Sequence, residues 1–297
     1  VQSAAVEAYL SDEFLDRVRR AYRLALDAAP KARGQWASHN ARRADVHIAL
    51  LADGNDALRP IFADPTITDL YYGADDLCRT VNKLRNPSDF VCEALSHQRA
   101  RIAAYQIARI RELVPDARSV VEIGPGMGRS AYYGHLAGLD YTTIDLPLGI
   151  VAQACFLARV VGPDALWFAG EAEATADGKI KLLYRAPEQR FDVALNVDSI
   201  TEMPTATAFD YFRWAGLHAR CLLSINHERN RFTVAQLAKF SIPATIIAKG
   251  PCPAWDGYSE EVFLPHESDL LPTRLRLAAF EACVMAHRVR RRLLKGF

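Results

Sequence analysis

Val120-Val121-Glu122-Ile123-Gly124-Pro125-Gly126-Met127-Gly128-Arg129-Ser130 is the stretch whose reading decides the fold. A β-branched, apolar run carrying one acid predicts a buried strand, and it leads directly into three glycines at every second position. Glycine supplies positive φ and lets another group come close to the main chain, so a strand ending this way ends where something must approach the backbone. In open α/β sheets the ligand lies across the carboxyl ends of the strands, next to the first strand-to-helix turn. The spacing is not that of a dinucleotide fingerprint, because Arg129 stands where G-x-G-x-x-G requires its third glycine.

Downstream, short apolar runs alternate with helical segments. RSVVEIG, DYTTIDLP, ALWFAG, FDVALNVDSI and ARCLLSINHE read as strands, with RSAYYGHLAGL, GIVAQACFLARVVG and the Thr205–Leu217 region as helices between them. ATIIAKG and SEEVFLP, joined by PCPAWDGY, read as two final strands of antiparallel sense. The pattern predicts an α/β fold, a doubly wound, mostly parallel, seven-stranded sheet with an antiparallel final strand. Upstream, Val6, Leu10, Phe14, Val18, Tyr22 and Leu26 follow helical spacing until Pro30, RRADVHIALLADG reads as more helix, and Asn86-Pro87-Ser88 signals another helix start. The expected organisation is a helical N-terminal lobe over 1–116, an α/β domain over 117–270, and a basic C-terminal helix over 271–297. Trp36, Tyr71 and Tyr72 in the lobe read as packing residues.

Half of the 297 residues are apolar, enough for a full core, and 36 basic against 35 acidic side chains leave a net charge of +1. No overall field points to nucleic acid, and none is expected as a partner. The absence of a long apolar run or a secretory leader pattern predicts a cytoplasmic protein. Cys78, Cys92, Cys155, Cys221, Cys252 and Cys283 are scattered without a C-x-x-C pair, which predicts reduced thiols rather than disulfides or zinc ligands.

The next predicted strand closes on Asp145. A carboxylate there can accept hydrogen bonds from both ribose hydroxyls of an adenosine-containing ligand. Together, Glu122 through Gly128, Asp145 and the antiparallel ending resemble the class I S-adenosylmethionine-dependent methyltransferases, which have a Rossmann-like fold. Over about residues 85–265 there is a closer resemblance. EIGPGMG, YTTIDLP, NVDSITEMP and LLSINHE recur in the order seen in the bacterial family of sugar O-methyltransferases, although Met127 stands where that family commonly has an aromatic residue. The resemblance implies S-adenosylmethionine as cofactor, S-adenosylhomocysteine as product, and Glu122, Gly124, Gly126, Gly128, Asp145, Leu146 and Asn196 as the cofactor-binding set. It also implies a sugar or glycan acceptor, nucleotide- or lipid-linked in a surface-polysaccharide setting. N- or C-methylation of a small natural product is the alternative within enzymes. A non-catalytic cofactor-binding module of a larger glycan-assembly protein is the alternative outside them.

A sugar hydroxyl is a poor acid, so a base beside it assists methyl transfer. Candidates project from the ends of the fourth and fifth predicted strands: Asp198, Glu202 and His227, with Glu228 adjacent. The expected base is His227, with Asp198 as its partner or as an acceptor-positioning group. The bland readings are a helix cap for Asp198, a backbone or arginine partner for Glu202, and a surface role for His227. Asn196 either contacts the cofactor or shapes the turn, and His97 reaches over the site from the lobe. Asn196, Asp198 and Glu202 form an oxygen set of the kind that holds a divalent cation, but the spacing is not diagnostic and no metal site is assigned. Arg288, Arg290, Arg291, Arg292 and Lys295 crowd the end of the last helix. They read first as a solvated helix end or a junction to a neighbouring domain, and second as a contact for an anionic membrane surface or for the phosphates of a nucleotide- or lipid-linked sugar.

Overall fold

The structure is a computed structural model that describes residues 10–28, 44–63, 98–241, 244–266 and 273–295. In chain order the helices are α1 (Asp12–Ala28), α2 (Ala44–Leu51), α3 (Leu58–Ala63), α4 (Gln98–Leu113), α5 (Arg129–Leu136), α6 (Pro147–Val161), α7 (Thr205–His218), α8 (Val234–Ser241) and α9 (Thr273–Lys295). The strands are β1 (Ser119–Ile123), β2 (Asp140–Ile144), β3 (Leu166–Phe168), β4 (Ile180–Leu183), β5 (Phe191–Val197), β6 (Ala219–His227), β7 (Ala244–Pro251) and β8 (Tyr258–Pro265). The chain divides into two compact units, Val1–Arg109 with Pro125–Arg185, and Ile110–Gly124 with Ala186–Phe297.

In the first unit β3, β4 and β2 lie side by side in that order, all parallel. Helix α6 is buried from Pro147 through Ala158, as expected of a helix that is apolar all round. One of its covers is α1, whose 3.6-residue periodicity puts Phe14, Leu15, Val18, Tyr22 and Ala25 on a single buried face. Phe14 meets Phe168 of β3 at a centroid distance of 6.2 Å. Arg17 on α1 makes a two-pronged pair with Glu171, at 2.6 and 3.1 Å, and donates to the Leu166 carbonyl at 2.6 Å. The N-terminal helix is therefore packed into this α/β layer.

In the second unit the order is β1-β5-β6-β8-β7. β1, β5 and β6 are parallel, and β8 runs antiparallel to both β6 and β7. The antiparallel ending is present as expected, with the final strand inserted between its neighbours. At the opposite end from the glycines, Asp192 accepts from the backbone N–H groups of Arg118 and Ser119 at 2.8 and 3.0 Å and from Arg220 at 2.9 Å, tying β1, β5 and β6 together. Burial alone would raise the Asp192 pKa, but these donors and the Ser119 hydroxyl hold it down to about 2.

Among the described residues there are eight strands where the sequence reading expects seven. The additional one is β4, Ile-Lys-Leu-Leu, which follows Asp177-Gly178 and carries a charge in its middle. Lys181 fits because its ammonium pairs with Asp140 at the start of β2, 2.8 Å from either carboxylate oxygen. No helix among the described residues is long and apolar enough to cross a membrane.

Candidate functional site

The glycine-rich turn is built as its composition demands. Gly124, Gly126 and Gly128 all have positive φ, at 69°, 62° and 80°. Gly124 is also held by a close approach: a Cβ on it would fall 2.5 Å from Ser199 Cβ and 2.7 Å from Ser199 Oγ. Gly128 is the N-cap of α5, where a Cβ would press on Leu157 and Gln153 of α6 at 3.2 and 3.4 Å. Glu122 and Met127, flanking the turn's first residues, are both 1% exposed.

In the first unit Asp145 follows β2 and begins the turn into α6. Its Oδ1 accepts from the Leu146 N–H at 2.7 Å and its Oδ2 from the Gln153 amide at 3.0 Å. Gln153 is fully buried, and its own oxygen accepts from the Thr143 hydroxyl at 2.7 Å. The carboxylate is thus fixed in orientation at the end of its strand. Leu146 has extended backbone before Pro147, and its N–H is the donor to Asp145. Sequence reasoning missed Gln153, though a single amide inside the apolar run Pro147–Ala158 is the signal that would have found it.

In the second unit the carboxyl ends of β5 and β6 carry a polar network. Asn196 is fully buried: Ser199 Oγ lies 2.5 Å from both its amide and the Ile123 carbonyl, and the Asn226 amide lies 3.0 Å away. Its side chain therefore acts on the turn after β5. The Thr201 hydroxyl donates to Asn226 Oδ1 at 3.0 Å and accepts from Asn230 Nδ2 at 2.6 Å.

Asp198 is the one non-glycine residue with positive φ among the described residues, at 50°. Three donors converge on its carboxylate: the His227 N–H at 3.3 Å, Asn230 Nδ2 at 3.0 Å and the Tyr258 hydroxyl at 3.0 Å. A residue held off its preferred backbone by this many bonds marks a place where geometry is being enforced. Asp198 and His227 do meet, but through the main chain of His227 rather than its ring. The ring's Nδ1 accepts from the Arg229 N–H at 3.0 Å, which puts the proton of a neutral imidazole on Nε2. For Nε2 to take a proton the ring must change tautomer. The Arg229 bond is exposed, so giving it up to water costs about 0.5–1.5 kcal/mol. The expected carboxylate–imidazole pair is replaced by a carboxylate that positions the strand end carrying the imidazole. Glu202 closes the short 3-10 turn Ile200–Glu202 and is half-buried.

The connection between β7 and β8, read from sequence only as a loop, also reaches this edge. Register pairs His227 with Tyr258 at the start of β8. The two rings meet edge to face at 5.1 Å, and Trp255 stacks on Tyr258 with centroids 3.7 Å apart and planes 15° apart.

Among the described residues no group of three or more His, Cys, Asp or Glu side chains is placed to hold a metal ion. Cys155, Cys221, Cys252 and Cys283 are free thiols, and burial pushes the Cys155 thiol up to about 12. Trp36, Tyr71, Tyr72, Cys78, Cys92 and His97 lie outside the described residues, as do the side chains of Arg288, Arg290, Arg291, Arg292 and Lys295.

No family model matches the chain, and no curated protein matches it. Among solved structures it is similar to magnesium protoporphyrin IX methyltransferase from Synechocystis PCC 6803 with bound SAM. That match has 14% identity and a TM-score of 0.46, over 68% of this chain and 97% of that one. It is also similar to the glycopeptide N-methyltransferase MtfA complexed with sinefungin, at 14% identity and a TM-score of 0.42, over 56% of this chain and 87% of that one. A third is the Burkholderia thailandensis 1,6-didemethyltoxoflavin-N1-methyltransferase with S-adenosylhomocysteine, at 14% identity and a TM-score of 0.41, over 62% and 92%. Likeness at this level carries no argument about ligand or reaction.

Proposed function

We propose that the chain is an S-adenosylmethionine-dependent methyltransferase acting on a hydroxyl of a sugar or glycan. The observation that carries the cofactor half is Asp145, a carboxylate at the end of a parallel strand whose orientation is fixed by the Leu146 N–H and a buried glutamine. The positive-φ glycines after β1 support it, since they leave bare backbone where the amino-acid part of such a cofactor would be held. The acceptor half rests on the IDLP and DSITEM segments of the sequence.

When bound, the cofactor supplies an already activated methyl group, so the protein's work is positioning and proton removal. Asp145 would hold the ribose hydroxyls, and Gly124, Gly126 and Gly128 the amino-acid part. Glu122 and Asn196, both buried, would act by fixing the strand ends. His227 would take the acceptor proton at Nε2, its proton having moved to Nδ1 as the Arg229 bond is released. Asp198 fixes where His227 stands by holding its N–H, and Glu202 is the neighbouring carboxylate on the same turn.

Calorimetry with S-adenosylhomocysteine tests the cofactor assignment. Asp145→Ala should lower affinity by about 1–3 kcal/mol, the contribution of charge-assisted hydrogen bonds. Unchanged affinity in a folded variant would sink the assignment. With labelled S-adenosylmethionine and a glycan acceptor, His227→Ala should reduce turnover by about 10²-fold or more and leave cofactor affinity unchanged. Near-normal turnover in His227→Ala, with loss in Glu202→Ala, would assign the base to the carboxylate.

A further inference from the structure

We propose that Trp255 is a stacking platform for the ring of the acceptor sugar, a subsite that rests on the glycan reading above and names the residue that would recognise it. Tyr258, which covers one indole face, is 8% exposed, whereas Trp255 is only half-buried and keeps part of its surface open. A large aromatic face of this kind binds the apolar C–H side of a pyranose, and polar groups at its edge are needed to select the hydroxyls. Those groups are at hand in the same unit. His227 packs edge to face with Tyr258, and Asp198 accepts from the Tyr258 hydroxyl.

The platform is held in place before any ligand arrives. The Cys252 N–H donates to the Tyr258 carbonyl at 2.7 Å, the Trp255 N–H to the Cys252 carbonyl at 3.3 Å, and the Tyr258 N–H to the Trp255 carbonyl at 3.2 Å. The Glu228 N–H donates to the Gly257 carbonyl at 3.0 Å, fastening the loop to the chain just after His227. A ring preorganised in this way loses little freedom on binding.

The test uses the full chain and a panel of methyl hexopyranosides of differing hydroxyl configuration, with saturation-transfer NMR to detect binding and S-adenosylhomocysteine calorimetry in parallel. The expected result is saturation transfer to the C–H protons of at least one glycoside by the wild type. That signal should fall at least 10-fold in Trp255→Ala and be largely kept in Trp255→Phe, with S-adenosylhomocysteine affinity the same in all three. Wild type that binds S-adenosylhomocysteine but no glycoside overturns the platform and leaves the cofactor reading standing. Glycoside binding that survives Trp255→Ala also overturns it. Trp255-dependent glycoside binding by a chain that does not bind S-adenosylhomocysteine supports the platform and refutes methyl transfer.

Discussion

The contact between Gly124 and Ser199 can be tested as a thermodynamic cycle. Alanine at position 124 faces two separate penalties. Its backbone must adopt the left-handed region, where φ is 69°, at a cost of about 1–2 kcal/mol for a residue with a Cβ. Its methyl would also fall 2.5 Å from Ser199 Cβ, an overlap that forces main chain to move and costs about 1–3 kcal/mol. Gly124→Ala should therefore lose about 2–5 kcal/mol in urea unfolding followed by tryptophan fluorescence. Ser199→Gly removes the atoms that clash but also the hydroxyl beside the Ile123 carbonyl and the Asn196 amide, and should lose about 1–2 kcal/mol on its own. In the double variant the overlap disappears while the left-handed cost stays. The two losses should fall short of additivity by about 1–3 kcal/mol, in the direction of rescue. Additivity within about 0.5 kcal/mol would refute the steric argument and leave backbone conformation as the whole cost.

The Asp192 pKa sits below its ordinary value, so its contribution to stability is fully present above pH 3.8 and is lost as pH falls through about 2. The stability difference between wild type and Asp192→Asn should accordingly be constant at neutral pH and shrink across that window, and a gap that persists undiminished below pH 2 would contradict it. At Asp198, alanine strands three donors and should cost about 2–4 kcal/mol, whereas asparagine keeps an oxygen for two of them, tolerates positive φ and should cost less than about 1.5 kcal/mol. Thermal melts showing equal losses for the two variants would mean that the carboxylate is not what holds His227 and Tyr258 together.

What the sequence made legible were the elements whose pattern is self-contained. β1, β2, β5 and β6 are dense apolar runs with turn residues at their ends, and the three glycines state their own backbone requirement. β4 was hidden because its lysine is tolerated only through an aspartate 41 residues away on β2. The candidate site was legible as to which residues share a strand edge, and illegible as to what they touch. Asp198 and His227 are on neighbouring strand ends, but that the carboxylate meets the main chain while the ring turns to the Arg229 N–H is settled by local backbone geometry that no spacing encodes. Trp255 carries no signal in the sequence because one aromatic in a turn has no periodicity, and only the partner ring of Tyr258 gives it meaning.

Helix α6 is surrounded by apolar contacts, and one of its covers is α1, made more than a hundred residues earlier in the chain. During synthesis from the N-terminus, the face bearing Phe14, Leu15, Val18 and Tyr22 emerges long before the helix it will cover. Until Pro147–Val161 and the strand ending at Phe168 have been made, that face has to wait in solvent or in the care of another protein. Contacts of such long sequence separation slow folding, because the loop between them must close before they are rewarded. The arrangement that makes the finished core continuous therefore makes its assembly a matter of timing, and the nascent chain is most exposed to aggregation over the length that separates these two helices.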